Sequence, residues 1–468
     1  MHRCKILSDY DIIIIGSGVG GTAVGALLAS KNLNTLLIEK NEVIGGRCST
    51  YEKDGFKIDV GVHSFARSDK GPLGKVLEMI GMEGAIDWNI LGQGESRWYY
   101  KGNFHGFPED LRKFLPKEEL MKLLSLITEV SKMKDTSKLD EIDVKSWLTQ
   151  YTNNALIHRY FYIISGLYFV IPYHQVSTGE FIRCLTSLSK YQSVGYPKGG
   201  CISIPLAYVE GLKKMGGKIL TKTTANKIVV EDGKVKGVEL DNGEFISSNI
   251  IISNAGIKDT VNTLVGREHF ENAFLQKVDN LLYSSSAITL KLALKKPITP
   301  YKLVVSFGSE DVEEYYSQIS KGKVPDEIDY FIPIPSNYHS TMAPKGNQLL
   351  TAGTIVPREN FEKNKKEWIK NSLNTLEKVF PGLSQNLLWY DVTTPEDIDL
   401  MYGKQSAVVG IAQTNNQSGI NRPSIALPIE GLYMVGGDAG GWGIGTELAA
   451  MSAIECSNII LEKALIQK

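Results

Sequence analysis

The amino-acid sequence predicts an α/β fold in which a discontinuous parallel-sheet domain is interrupted twice by an inserted α+β domain. Three observations support this prediction. A strand, a glycine-rich turn and a helix begin the chain, strand-forming segments return in the middle, and a strand, a second glycine-rich loop and a helix end it. Helical and aromatic sequence separates these segments, so one sheet must be assembled from distant parts of the chain.

The individual elements follow from local patterns. Residues 10–15 are an isoleucine-rich run typical of a buried parallel strand, residues 22–30 have the small residues of a closely packed helix, and residues 35–39 form a second apolar run. We predict a helix over 202–215 and strands over 218–220, 225–230, 235–240 and 250–252, with hairpin turns at Asp232-Gly233 and Asn242-Gly243. We also predict strands over 287–293, 330–333, 348–355 and 431–435, and helices over 108–133, 360–379 and 446–464.

These elements define a predicted domain organisation. The parallel-sheet domain comprises residues 8–70, 195–285 and 415–468, and the inserted domain comprises residues 71–194 and 286–414. The aromatic segment 160–171 lies in the insertion. It is either core or the wall of an apolar cavity, and the hydrophobic composition favours core.

Composition excludes several classes of protein. The chain has 468 residues, 43% of them hydrophobic, and a formal net charge of -1, so electrostatics indicate neither nucleic acid nor an anionic membrane surface as a partner. Five cysteines without a Cys-x-x-Cys pair argue against a disulfide framework, and the dispersed histidines predict no metal site. No apolar run has signal-peptide length at the N-terminus or the roughly 20 residues of a bilayer span, so we expect a cytoplasmic protein.

The first glycine-rich turn has the Gly-x-Gly-x-x-Gly spacing of a dinucleotide-binding loop. In the predicted context it follows a strand and opens a helix, whose N-terminal N–H groups and dipole favour phosphate. An acid at the end of the second strand can accept hydrogen bonds from a ribose, and it disfavours NADP. The predicted binding residues here are Gly16, Ser17, Gly18, Val19, Gly20, Gly21, Glu39 and Lys40.

Two later segments distinguish FAD from NAD. Gly45, Gly46 and Arg47 follow the acid, with paired glycines for close backbone approach and an arginine suited to a phosphate, and a stretch from Gly55 to Ser64 extends the motif beyond what an NAD domain needs. The loop 436–447 opens the last helix. There Asp438 suits a ribityl hydroxyl or a phosphate-linked water, and the helix start suits the flavin C2 carbonyl, so Gly437, Asp438, Gly445 and Thr446 are predicted cofactor contacts.

Together these stretches, with Tyr196-Pro-Lys-Gly-Gly200, resemble the phytoene desaturase and carotenoid isomerase-like branch of the FAD-dependent amine-oxidase superfamily. The resemblance implies a Rossmann-like, glutathione-reductase-like FAD domain, and backbone contact of Ala225 with adenine. No cysteine lies between Cys201 and Cys456, which argues against a covalent link to the flavin.

The chain departs from the family pattern at two places where the family holds the isoalloxazine. Val62-His63-Ser64-Phe65 stands where a small residue and a proline are usual, and Gly440-Gly441-Trp442 lacks the usual proline. We therefore predict Val62 and His63 as flavin contacts, and His63 and Trp442 as the candidate catalytic residues.

The function implied by the resemblance is hydride transfer between FAD and a lipophilic, isoprenoid or polyene-like substrate, as a desaturase, saturase or isomerase. A flavin amine oxidase and a non-catalytic prenyl-binding chaperone of the same fold are the alternatives. An apolar small-molecule substrate predicts reversible contact with a membrane, so the protein is expected in the cytoplasm and at times peripheral to a membrane. The oligomeric state does not follow from the sequence.

Overall fold

The computed structural model describes residues 9–106, 109–307 and 311–466, with side chains to Lys463. Cys4 and Ser8, and the predicted start of a helix at Pro108, lie outside these residues. The strands, in chain order, are β1 Ile12–Ile15, β2 Thr35–Ile38, β3 Thr50–Lys53, β4 Phe56–Asp59, β5 Trp88–Ile90, β6 Ser96–Tyr100, β7 Asn103–Gly106, β8 Gly195–Pro197, β9 Lys218–Leu220, β10 Ala225–Glu231, β11 Lys234–Leu240, β12 Phe245–Ser247, β13 Ile251–Ser253, β14 Ser286–Leu294, β15 Leu303–Ser306, β16 Tyr330–Pro333, β17 Gln348–Val356, β18 Leu387–Thr393 and β19 Leu432–Met434.

Helices cover both sheets and fill the insertion. In chain order they are α1 Val19–Ala29, α2 Pro72–Met79, α3 Lys117–Lys132, α4 Val144–Leu148, α5 Ala155–Phe169, α6 Thr178–Tyr191, α7 Ser203–Lys214, α8 Ile257–Asp259, α9 Asn272–Asp279, α10 Val312–Ser320, α11 Pro335–Tyr338, α12 Phe361–Val379, α13 Leu383–Asn386, α14 Pro395–Tyr402 and α15 Gly445–Ile466. The α/β fold class predicted from the sequence is confirmed.

The parallel sheet has the strand order β19-β13-β1-β2-β9. Its central strand β1 is fully apolar and lies between β2 and β13, with Ile13 level with Leu36 and Ile251. One face is covered by helices such as α1 and α15, and the other by the β10–β12 ribbon with α8 and α9, so these strands read as continuous apolar runs. The two predicted hairpins form as the antiparallel ribbon β10-β11-β12 beside this sheet.

A second, mixed sheet has seven strands in the order β18-β14-β17-β16-β15-β6-β7. Its long central pair β14 and β17 is antiparallel, and the predicted strands there are found within one or two residues of their expected ends. Segment 160–171 lies mostly in α5, whose Phe161, Ile164 and Phe169 are buried in an aromatic core, as the composition favoured.

The parallel sheet draws strands from all three segments assigned to the cofactor domain, and the seven-stranded sheet draws only on the two inserted segments. One small ribbon crosses between them, because β5 of the insertion pairs with β8 at residue 195. The domain boundaries themselves stay a prediction.

Candidate functional site

Three glycine-rich loops, 16–21 after β1, 45–47 after β2 and 436–445 after β19, meet beside the carboxyl end of β13. Gly16 has φ +96°, and an added Cβ at Gly18 would lie 2.7 Å from Asn254 Nδ2. A Cβ at Gly20 would lie 2.8 Å from the backbone nitrogen of Gly436, so the first and last loops touch. Asn254 Nδ2 donates to the Gly16 carbonyl at 3.3 Å and fixes this meeting point. The result is a cradle of bare backbone, closed to any larger side chain.

Close packing also explains the third glycine of the motif. A Cβ at Gly21 would lie 2.0 Å from the Gly16 carbonyl oxygen, so only glycine lets α1 start against the end of β1. Ser17 is buried beside the start of α1 and Val19 is its first residue. The first N–H groups of this helix therefore face the cradle side, where a phosphate is stabilised by the helix N-terminus.

Glu39 follows β2 and is 6% exposed. Its Oε2 accepts hydrogen bonds from Ser17 N at 2.9 Å and Ser17 Oγ at 2.7 Å, while Oε1 accepts from Asn41 N at 2.8 Å. The carboxylate is thus held rigidly against the first loop, with lone pairs left for hydroxyl donors. Lys40, the next residue, is exposed, and its predicted cofactor contact stays a prediction.

The loop at Gly45–Arg47 packs directly on the first loop. Gly45 N donates to the Ser17 carbonyl at 3.0 Å, and a Cβ at Gly46 would lie 3.6 Å from Gly18 Cα. Arg47 Nη1 donates to the carbonyls of Ala407 at 2.6 Å and Val408 at 2.8 Å. Arg47 therefore ties segment 407–408 to the cradle. A contact between its other N–H groups and a phosphate stays a prediction.

Asp438 is completely buried at the start of the third loop. Its Oδ2 accepts from Ile257 N at 3.0 Å, its Oδ1 accepts from Ile411 N at 3.1 Å, and Lys404 Nζ lies 3.3 Å from Oδ1. Burial alone would favour the protonated acid, but Lys404 and these N–H groups hold the pKa of Asp438 below its usual range. The carboxylate therefore organises three backbone segments around the loop, in addition to any cofactor hydroxyl it meets.

The rest of this loop is anchored by acids. Glu180 Oε1 accepts from Gly443 N at 3.0 Å and from Gln413 Nε2 at 2.7 Å. Glu447 forms a bidentate contact with Arg67, accepting from Arg67 N at 2.7 Å and Arg67 Nε at 2.6 Å. The Arg67 guanidinium also lies over the Trp442 ring, 5.4 Å from its centroid.

The predicted flavin contacts of the third loop lie beside these anchors. An added Cβ at Gly437 would lie 2.3 Å from the Val409 carbonyl oxygen. Gly445 opens α15 with φ +49°, and Thr446 follows it half-buried. Trp442 and Ile444 are partly buried against the aromatic core of the insertion, so this loop connects the cradle to the apolar region.

His63 contacts Asp59 and Phe65 of its own segment. Its Nδ1 lies 3.4 Å from Asp59 Oδ2, and its ring stacks on Phe65 at 5.8 Å. Burial opposes the charged imidazole, but Cys201 and Asp59 outweigh it and raise the pKa of His63 to about 10. Val62 instead faces the second sheet, since an added Cβ at Gly353 would lie 2.7 Å from its Cγ2. The catalytic role predicted for His63 stays a prediction.

Ala225 begins β10, is 8% exposed and pairs with Leu240. Thr223 N, two residues earlier, donates to the Glu39 carbonyl at 3.0 Å, which places this strand end beside the acid predicted to bind ribose. The structure thus brings the start of β10 to the Glu39 side of the cradle.

Sequence reasoning missed the residues that join the loops. No site role was predicted for Asn254, Lys404, Arg67 or Glu180, and each contacts a segment that lies far away in the chain. One signal was available for Asn254: it follows directly on a predicted strand of the parallel sheet, and such carboxyl ends are where ligands bind in open α/β sheets.

The residues fit a dinucleotide cofactor. The cradle excludes side chains at Gly18 and Gly20, a helix N-terminus opens onto it, and a buried carboxylate flanks it. These are the requirements of a pyrophosphate and a ribose. The third glycine-rich loop leads into the N-terminus of α15 and can bind the other end of an extended cofactor.

Comparison with known proteins agrees with this geometry. Residues 20–461 match the family described as flavin containing amine oxidoreductase. The chain belongs to this family. Its cofactor is FAD.

Among its relatives, the chloroplastic prolycopene isomerase of Daucus carota is 26% identical, covering 96% of this chain and 80% of the isomerase. The all-trans-retinol 13,14-reductase of Danio rerio is 22% identical, covering 98% and 87%. An oxidoreductase structure from Methanosarcina mazei superposes with a TM-score of 0.77 at 21% identity over 96% of this chain and 99% of that one, which confirms the fold. Among the described helices, none has the length and apolar character needed to cross a membrane.

Proposed function

We propose that this flavoprotein transfers hydride between FAD and an apolar, polyene-like isoprenoid. The observation that carries the proposal is the position of Trp442 and Ile444. They belong to the glycine-rich loop at the start of α15, yet they pack into the aromatic core formed by the inserted segments. The predicted flavin end of the cradle therefore opens onto apolar side chains, which suit a hydrocarbon substrate and exclude water from the reacting atoms.

Aromatic and aliphatic side chains pack around Trp442, and the Arg67 guanidinium, which pairs with Glu447, lies over its ring. Tyr160, Leu167 and Tyr168 of α5 and Phe331 of β16 contact the same core. Burial raises the pKa of Tyr168 to about 12, so this hydroxyl stays neutral at physiological pH. Bound FAD supplies the hydride acceptor or donor; these side chains orient an apolar chain and keep its surroundings dry.

The relatives support a substrate of this class. One is named a prolycopene isomerase and the other an all-trans-retinol 13,14-reductase. Both names describe conjugated isoprenoids, and their reactions differ, so the proposal covers desaturation, saturation and isomerisation. We further propose that FAD is bound without a covalent link, that Trp442 shapes the substrate side, and that Gly16–Gly21, Glu39, Gly45–Arg47, Ala225 and Gly437–Thr446 bind the cofactor.

A substrate dissolved in lipid also requires a route from the membrane. Helix α3 exposes Met121, Leu124 and Ile127, with exposed fractions of 58%, 47% and 54%. On its other side Leu123 and Leu126 pack into the aromatic core that Trp442 contacts. We propose that this face of α3 rests reversibly on the lipid surface.

The test is anaerobic mixing of the holoprotein with three substrate sets: liposome-dissolved carotenoids and retinoids, prenyl alcohols, and water-soluble amines. Flavin absorbance reports oxidation state, and chromatography of the lipids reports isomerisation, which leaves the flavin spectrum unchanged at the end. Turnover of a liposome-dissolved polyene is expected. Reaction with amines alone would establish the amine-oxidase alternative, and lipid binding without turnover under either flavin state would establish the prenyl-binding alternative.

Acid precipitation of the same holoprotein tests the cofactor link. Intact FAD is expected in the supernatant, and flavin that stays with the protein would contradict non-covalent binding.

A further inference from the structure

Two thiols and an imidazole from three separate segments of the chain lie close together. Cys48 precedes β3, His63 follows β4, and Cys201 lies in the turn between β8 and α7. The Sγ atoms of both cysteines and a ring nitrogen of His63 all lie within 4.8 Å of one another. Cys48 is 3% exposed and Cys201 is fully buried, and both are free thiols. No role in binding FAD has been assigned to either thiol.

We propose that Cys48, His63 and Cys201 bind a thiophilic, tetrahedrally coordinated metal ion such as Zn²⁺. Two sulfurs and one nitrogen are a ligand set that this ion prefers. Ligands about 2.3 Å from a tetrahedral centre lie about 3.8 Å from each other, so the observed cluster needs to contract by only about 1 Å. Three protein ligands leave one coordination position for water. Binding displaces one proton from each thiol and one from the imidazolium of His63.

The surroundings of the cluster support this assignment. Asp59 is 2% exposed and lies 3.4 Å from His63 Nδ1, which is the carboxylate–histidine arrangement that orients imidazole ligands of metals. Asp59 is itself fixed, because it accepts from Thr50 Oγ1 at 2.6 Å, Tyr196 Oη at 2.6 Å and Cys201 N at 3.1 Å. The carboxylate therefore ties two of the three ligand segments together.

The thiols themselves have only weak partners. Cys48 Sγ donates to the Cys201 carbonyl at 3.2 Å, and Cys201 Sγ donates to the Ser49 carbonyl at 3.4 Å. Neither bond fixes the two sulfurs toward the imidazole, whereas coordination of a shared ion does. The segments that carry Cys48 and Cys201 also pack closely against each other, since an added Cβ at Gly200 would lie 2.4 Å from Thr50 Oγ1.

The site does not depend on the substrate proposed above. It does affect the role of His63, because an imidazole that holds a metal cannot serve as a free base.

The experiment measures metal in the tag-free holoprotein after incubation with Zn²⁺ and dialysis. About one zinc per chain is expected, and X-ray absorption should show two sulfurs at about 2.3 Å and one nitrogen at about 2.0 Å. In Cys48→Ser and Cys201→Ser zinc content should fall at least tenfold, and Asp59→Asn should weaken binding by about 10- to 100-fold. Cys456→Ser, a buried thiol in α15, is the matched control and should keep its zinc.

The FAD content and the circular dichroism of each variant identify any variant that fails to fold. X-ray absorption on the unmodified protein tests the ligand set without any substitution. Zinc absent from that protein, or bound without sulfur, overturns the proposal. A Cys48–Cys201 disulfide in protein purified without oxidant, found by peptide mapping, also overturns it.

Discussion

The parallel sheet and the seven-stranded sheet differ in how they accommodate buried charge. Beside the parallel sheet, Asp438 is fully buried but receives two backbone N–H groups and the ammonium of Lys404. In the seven-stranded sheet, Lys291 of β14 is 1% exposed and donates to Thr393 Oγ1, and no described carboxylate lies within ion-pair distance of it. Burial accordingly lowers the pKa of Lys291 to about 8. On the cofactor side, backbone N–H groups and Lys404 stabilise the charged form of Asp438. In the seven-stranded sheet, burial shifts Lys291 toward its neutral form.

The cofactor side should be the more sensitive to added volume. Gly21→Ala places a Cβ 2.0 Å from a backbone oxygen, whereas Gly25→Ala on the same helix meets the movable Ile14 Cδ1 at 3.1 Å. Overpacking of this kind costs about 3 kcal/mol or more when backbone must shift. We expect Gly21→Ala to lower the urea midpoint strongly and to lose FAD, and Gly25→Ala to keep both. Equal behaviour of the two variants would show that the close approach at Gly21 does not limit packing.

The buried lysine predicts a pH-dependent effect with a definite sign. The drop of the Lys291 pKa from 10.5 to about 8 means that the unfolded chain binds the proton more tightly, so wild-type stability rises between pH 8 and pH 10.5. Below pH 8 the full penalty, about 3 kcal/mol, applies. Lys291→Met should therefore be more stable than wild type near pH 7, with a gain that shrinks as pH rises. The check is a pair of denaturation series at matched pH values; a pH-independent difference would mean that Lys291 keeps its ordinary pKa.

Removal of the acid beside the first loop should weaken the cofactor more than the fold. Glu39→Ala loses charge-assisted hydrogen bonds worth about 1.5–3 kcal/mol, so FAD affinity should fall by about 10- to 100-fold. Glu42→Ala is the control, because its carboxylate is exposed and pairs only with Lys222 at 3.0 Å. Titration of apoprotein with FAD measures both. Unchanged affinity in Glu39→Ala would remove Glu39 from the cofactor site.

The smallest change in stability is expected on the apolar face of α3. Replacement of Met121, Leu124 and Ile127 by Gln should alter the free energy of unfolding by about 0.5 kcal/mol or less per substitution, since all three side chains are exposed. Co-sedimentation with neutral liposomes should nevertheless fall at least tenfold, and it should depend little on salt. The matched control is Leu400→Gln, because Leu400 on α14 is 83% exposed. Met342→Gln would not serve, because Met342 is buried. Undiminished binding by the triple variant would place the lipid contact elsewhere.

Local patterns predicted most elements of both sheets because each depends on neighbours in sequence. The strands at 218–220 and 330–333 were predicted to the residue, and the two Asx-Gly turns formed the expected hairpins. The connections between loops were not predictable in this way. Asn254 reaches Gly16, and Glu180 reaches Gly443, through contacts that exist only once the chain has folded.

The same limit explains why the metal site proposed at Cys48, His63 and Cys201 was not predicted from the sequence. Ligand spacing reveals a site when its members share one turn or helix. Here the third member enters on a turn 138 residues after His63, brought there by the β5–β8 ribbon and the fixed carboxylate of Asp59.

The order of strands in the parallel sheet has a consequence for biosynthesis. Strand β1 is made well before its neighbour β13, and the edge strand β19 follows only after the second inserted segment. The loop that meets Gly20 therefore leaves the ribosome after the whole aromatic insertion has been exposed. A nascent chain cannot complete the cradle before this loop is made, and truncation before residue 436 should yield colourless, aggregation-prone protein rather than a partly active one.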